Sequence, residues 1–185
     1  MVIYSDNHVF VSTVMPSIVF IGSSHVNRFE EHLIRHDPKL PFPIITKGKS
    51  GLRLGGLVSM IQNNLSVQGS GYVLFQVGGN DIGALSEVEW MRLLSESVHY
   101  VLANYPKFRL IWSDMPLRTR WRYKTRRLQR KARGLFHQVG GFVIKHPGLN
   151  TSHLCSDGVH LNRQGNAVLL SDFEQFFWGL VSVNV

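Results

Sequence analysis

Apolar residues gather in five short runs along the chain, near 17–22, 42–46, 72–77, 108–112 and 142–145. Each is too short for a helix and has the near-continuous apolar character of a strand covered on both faces. Between and after them the apolar positions recur every three or four residues, near 26–36, 54–65, 87–104, 121–138 and 163–178. Val26, Phe29, Leu33 and Ile34 mark the first helical pattern, and Leu54, Leu57, Val58, Ile61 and Leu65 the second. Ser86 and Glu89 make a capping-box signature ahead of Trp90, Leu93, Leu94, Val101 and Leu102, which places a helix start there. Residues 38–43 and 147–156 read as loops. Strand and helix alternate throughout, so the expected fold is α/β, with parallel strands, right-handed crossovers and helices on both faces of one sheet.

A chain of 185 residues, 44% of them hydrophobic, can fill one well-packed core and not two. No apolar run approaches the ~20 residues of a membrane helix, and residues 1–15 lack a basic segment followed by an apolar one. An intracellular, cytoplasmic protein is therefore expected. The single Cys155 excludes an internal disulfide and a cysteine-rich metal site. His32 and His36 stand four apart on a predicted helix, but no third ligand stands at metal-binding spacing beside them. Neither a metal nor a cofactor is expected.

Three short segments at strand ends or in loops carry chemistry. Gly22-Ser23-Ser24 closes the first strand and opens a helix, which puts Ser24 at the carboxyl end of the sheet with its N–H near a helix N-terminus. Gly78-Gly79-Asn80-Asp81 follows the third strand and offers an amide donor on a backbone that can approach closely. In Asp157-Gly158-Val159-His160, a carboxylate three residues from an imidazole can hold one ring nitrogen while the other faces a hydroxyl. A serine nucleophile needs such a base, a group to orient it and donors for the developing oxyanion. Taken singly, each segment has a purely structural reading: a helix N-cap, a turn, and a loop Asp beside a capping or core His.

In this order the segments resemble the blocks of the SGNH hydrolase superfamily, also called GDSL esterases and lipases. Lys47-Gly48-Lys49-Ser50-Gly51 matches its glycine block, and the resemblance spans roughly residues 17–180. It implies a three-layer α/β/α sandwich on a five-stranded parallel sheet, flavodoxin-like in order, preceded by an N-terminal extension over 1–16. It further implies Ser24 as nucleophile, His160 as general base and Asp157 as the residue orienting it, with an oxyanion hole of the Ser24 N–H, the Gly51 N–H and the Asn80 amide. Gly51 is preferred to Gly48 because it directly precedes the second helical pattern. The chain departs from the family at Ser23, where Asp is frequent, and at His25, where small or apolar residues are common. Residues 110–114, Gly140-Gly141-Phe142-Val143 and His146-Pro147 resemble the SGNH hydrolase-like domains encoded by retrotransposable elements of animals. The activity implied is hydrolysis of small carboxylic esters bearing short acyl or acetyl groups. The alternatives are an acyl or acetyl transferase on the same fold, and a module that keeps the fold and binds nucleic acid.

Residues 118–133 hold nine basic residues and no acid: Arg118, Arg120, Arg122, Lys124, Arg126, Arg127, Arg130, Lys131 and Arg133. Without them 11 basic residues face 12 acidic ones, so this segment carries the whole net charge of +8. With Trp121 and Tyr123 interleaved it suits nonspecific contact with nucleic acid or another anionic surface. It equally suits a solvated helix whose other face, Leu128, Ala132, Leu135, Phe136 and Val139, packs on the sheet. Arg118 or Arg120, just after the fourth strand, is placed to meet a negatively charged substrate.

Overall fold

The computed structural model describes residues 2–5, 8–11 and 16–182, with side chains over 16–182. Strands β1 (Val2–Ser5) and β2 (His8–Val11) pair antiparallel, with Val2 opposite Val11 and Ser5 opposite His8. This ladder lies within residues 1–16, where the periodicity led to no expectation of a strand.

The main sheet contains β3 (Ser17–Gly22), β4 (Ile44–Gly48), β5 (Gly71–Gln76), β6 (Phe108–Ser113) and β7 (Phe142–Ile144). All neighbours are parallel, in the order β4-β3-β5-β6-β7. The period-2 alternation of each strand divides its side chains between two cores. Ile18, Phe20 and Leu74 pack with Val26 and Phe29 of α1 (Ser24–His36) and with Phe173 and Phe177 of α5 (Arg163–Ser182). Val19, Ile21, Val73 and Phe75 pack with Leu57 of α2 (Leu57–Gln62), Trp90 of α3 (Glu87–Asn104) and Phe136 of α4 (Arg122–Gln138). Full burial of each such side chain stabilises by about 1.5–3 kcal/mol, which is why both faces of the sheet are covered. Phe20, Phe29 and Phe173 meet edge to face, with ring centroids 5.3–5.8 Å apart.

The expected α/β/α sandwich with a five-stranded parallel sheet is the observed fold. The differences lie at element ends. β4 begins at Ile44 rather than 42, because Pro43 has no N–H to give to the ladder; its carbonyl accepts from Ile18 N at 2.8 Å and pairing starts after it. β4 then runs on through Lys47 and Gly48, which pair with Ile21 and Gly22. The second helical pattern shrinks to a 3₁₀ turn over Leu54–Gly56 and the six residues of α2, since Gly55 and Gly56 occupy what would be the first turn. Half of the expected capping box forms. Ser86 accepts from Glu89 N at 3.1 Å, while the Glu89 carboxylate turns to Arg92 at 2.7 Å.

The chain leaves β3 for β4 on one side and returns past β3 to β5 on the other. The reversal makes the carboxyl ends of β3 and β5, which Ser24 and Asn80 follow, the topological switch point at which sheets of this kind carry their sites. No helix among the described residues is long and apolar enough to cross a membrane.

Candidate active site

Ser24 occupies the first position of α1, whose N–H has no intrahelical acceptor. Ser23 is the N-cap residue, yet its side chain makes no capping hydrogen bond and is buried. Of the two adjacent hydroxyls it is Ser24 that reaches an imidazole, with Oγ 2.8 Å from His160 Nε2. Gly22, just before them, is required by space: a Cβ there would lie 2.2 Å from Val26 Cγ2 and 2.7 Å from the Gln76 carbonyl.

His160 comes from a loop closed on itself by Cys155 N–H donating to the His160 carbonyl at 2.7 Å and Gly158 N–H to the Cys155 carbonyl at 3.0 Å. Gly158 stands at φ +64, in the left-handed region, and packs against Thr119. Within that loop Asp157 accepts three hydrogen bonds: from His160 Nδ1 at 2.7 Å on Oδ2, and from Val159 N and His160 N, both at 2.9 Å, on Oδ1. The bond from the His160 ring, followed by the two backbone donors, holds the Asp157 carboxyl well below the usual carboxylate range. The group is therefore an anion that takes the Nδ1 proton as acceptor, which leaves Nε2 unprotonated toward the Ser24 hydroxyl.

The three donors expected for an oxyanion are linked by hydrogen bonds rather than by sequence. Lys49 N–H donates to the Gly22 carbonyl and Leu52 N–H to the Lys49 carbonyl, both at 3.0 Å, so a tight turn over 49–52 is pinned to the end of β3. Gly51 sits in that turn at φ +74, and its N–H makes no hydrogen bond among the described residues. Gly48 belongs instead to β4, where a Cβ would meet Asn27 Oδ1 at 1.9 Å. Asn80 Nδ2 donates to the Leu52 carbonyl at 3.0 Å, and Arg118 donates to Asn80 Oδ1 at 3.1 Å. Asp81, buried, accepts from Leu54 N at 3.0 Å and ties the same two loops; burial raises its carboxyl above the ordinary range.

His25 faces His160, with ring centroids 5.1 Å apart, and is buried. Burial, then the neighbouring His160, Arg118 and Arg28, lower its pKa from 6.5 to about 3 against a small opposing pull from Asp157. It is therefore neutral at neutral pH, and its lowered proton affinity makes it a poor proton acceptor beside the site. Because its folded pKa lies below the unfolded value, the unfolded chain binds the extra proton, and stability falls as pH drops below about 6.5, by about 1.4 kcal/mol per unit. Urea denaturation at pH 7 and pH 5 is expected to show a loss of about 2 kcal/mol from this group. The His25→Gln variant should lack that part; an unchanged difference would show that His25 does not carry it.

Two features of the site were not expected from the sequence. Arg118, foreseen as one of a basic array or as an anion contact, lies over Gly79 and fixes Asn80; burial lowers its pKa, against the pull of Asp157 and Asp81. A second Ser-His-Asp chain also exists, with Ser113 Oγ 2.8 Å from His146 Nε2 and His146 Nδ1 2.8 Å from Asp172 Oδ2. Ser113 is wholly buried and accepts from Gln76 Nε2 at 3.0 Å, so this chain ties β5, β6, the loop after β7 and α5 together without access to a substrate. Ser113 and His146 stand in segments noted in the sequence, but nothing in their spacing relates them to Asp172.

The basic segment does not form one array. Leu128, Ala132 and Phe136 are buried, with Leu135 and Val139 packed beside them, as expected of the apolar face. Arg127 and Lys131 pair with Glu87 at 3.1 and 3.0 Å, Arg133 pairs with Asp114, Lys124 donates to the Leu85 carbonyl at 2.7 Å, and Arg120 lies over Trp121. Arg122, Arg126 and Arg130 are exposed and have no hydrogen bond or ion pair among the described residues. His32 and His36 stack at 3.9 Å, and among the described residues no three His, Cys, Asp or Glu side chains are grouped for a metal.

No protein-family model and no curated protein matches the chain. Solved structures do. A carbohydrate esterase family 3 protein from Talaromyces cellulolyticus is 15% identical with a TM-score of 0.68, over 91% of this chain and 99% of that one. A member of the lipolytic G-D-S-L family from Veillonella parvula is 13% identical with a TM-score of 0.71, over 87% and 97%. A GDSL-like lipase from Bacteroides thetaiotaomicron is 16% identical with a TM-score of 0.67, over 89% and 88%. The fold is thus the α/β/α arrangement of GDSL/SGNH hydrolases.

Proposed function

We propose that residues 17–180 form a serine esterase domain that hydrolyses carboxylic esters with short acyl or acetyl groups through an acyl-enzyme on Ser24. The observation that carries this reading is the unbroken hydrogen-bond chain from Ser24 Oγ through the His160 ring to Asp157, at 2.8 and 2.7 Å, at the carboxyl edge of the sheet. Ser24 Oγ bonds to the ester carbon as its proton passes to His160 Nε2. The carbonyl oxygen takes up the negative charge and is met by the Ser24 N–H, the Gly51 N–H and Asn80 Nδ2. His160 returns the proton to the departing alkoxide, then takes one from water as it attacks the acyl carbon; the bond from that carbon to Ser24 Oγ breaks, the acid leaves, and His160 gives its proton back to Ser24 Oγ.

The loop over 49–53 is short, and the longer segments 114–121 and 145–162 are tied to each other by Thr119 N–H donating to the Gly158 carbonyl at 3.1 Å, which leaves little free chain to cover a long acyl group and favours short ones. The esterase and lipase descriptions of proteins with this fold agree with ester hydrolysis. The likeness to domains encoded by retrotransposable elements concerns origin and stands on its sequence segments. A fluorophosphonate probe tests the reading: covalent label on the Ser24 peptide, with loss of p-nitrophenyl acetate turnover in proportion, is the expected result. Folded protein that takes no label on Ser24 and shows only background turnover would overturn it and favour the noncatalytic binding module.

A further inference from the structure

On the α1/α5 face a cavity of about 510 Å³ opens between the outer turns of α1 and the start of α5. Arg28 and Arg35 reach it from α1 and Arg163 from the first position of α5. None of the three pairs with a carboxylate among the described residues, and Glu31 is the one acidic residue in the lining. The cavity therefore presents three guanidinium groups against one carboxylate.

Its wall is also polar at depth. His32 is 7% exposed and Asn166 is 8% exposed, both line the cavity, and neither side chain makes a hydrogen bond among the described residues. The polar atoms of both side chains are reached by solvent from the cavity rather than sealed in the core, so they have free capacity toward a molecule bound there. The His32 ring is held by stacking on His36 at 3.9 Å and on Phe29 at 6.3 Å. Burial, then His36, Arg163 and Arg35, lower its pKa, which keeps it neutral with one N–H to donate. The 20-residue α5 has no acid in its first turn, so the positive end of its dipole adds to Arg163. The volume lies within the range of about 300–1,000 Å³ typical of small-molecule sites.

We propose that this cavity is a binding site for a small, soluble phosphate-bearing molecule, whose phosphate oxygens accept from Arg28, Arg35 and Arg163 and from Asn166 and His32 in the wall. Guanidinium forks match phosphate geometry, and a phosphate has enough acceptor oxygens to satisfy all five groups. The site is distinct from Ser24 and does not depend on its reactivity. It abuts the loop that carries Asp157 and His160: Cys155 lies in the same lining, 3.9 Å from Arg28 through its Sγ, and donates from its N–H to the His160 carbonyl.

Isothermal titration of the whole chain with inorganic pyrophosphate tests this. One saturable site is expected, weakened about tenfold or more in Arg35→Ala and in Arg163→Ala, both exposed positions whose truncation leaves the cores intact. Asn166→Ala should weaken it as well, while Ser24→Ala and the double variant Arg126→Ala/Arg130→Ala on α4 should bind as the parent does. Absence of saturable binding, or binding that survives the cavity variants and is lost in the α4 variant, would overturn the proposal.

Discussion

Ser24→Ala, His160→Ala and the double variant are expected to lower kcat for p-nitrophenyl acetate by the same factor, about 10⁴–10⁶. The equality matters more than the size. His160 removes a proton that only Ser24 Oγ offers at 2.8 Å, so once either partner is gone the other has nothing left to do. Asp157→Asn should lose somewhat less, because it leaves both reacting groups in place. An amide there can present its NH₂ instead of an acceptor to His160 Nδ1, and the ring then favours the tautomer with its proton on the Ser24 side. Steady-state kinetics on the four proteins is the measurement. Losses that multiplied in the double variant would mean that Ser24 and His160 act in separate steps, against the proposed relay.

Asn80→Ala is expected to lower kcat by about 10²–10³ with little change in KM. The basis is how the amide is held. Its Oδ1 accepts from Arg118 at 3.1 Å, which fixes which end is oxygen, and one Nδ2 hydrogen goes to the Leu52 carbonyl at 3.0 Å. One hydrogen is left, on a group already oriented, for charge that develops only during reaction. Asn80→Asp should lose at least as much, since it replaces that donor with an anion. A rise in KM with kcat unchanged would assign Asn80 to ground-state binding instead.

Local pattern made the sheet legible. Ile18 to Ile21 and Val73 to Phe75 are apolar at every position because helices cover both faces, and a strand with one wet face would alternate instead. Pro43 moved the start of β4 by two residues, and Gly55-Gly56 cut α2 short, through backbone effects that apolar spacing does not register. The D-x-x-H pair was legible because its partners are three residues apart. The placement of Arg118 was not: one arginine among nine basic residues is distinguished by the Gly79 surface it lies on and the Asn80 oxygen it meets, 38 residues away in sequence. His25 likewise reads as an imidazole beside a serine, and only packing makes it a buried, neutral one.

The buried chain from Ser113 through His146 to Asp172 has the same atoms, the same connectivity and nearly the same distances as the one beginning at Ser24. Any template defined by three side chains would return two hits in this protein. Two things separate them: no molecule can arrive at Ser113, which has no exposed surface, and its hydroxyl is already engaged by Gln76. The chain thus carries its own silent counterpart: a reagent that counts reactive serines should report one per molecule in the folded state, on Ser24 and not on Ser113.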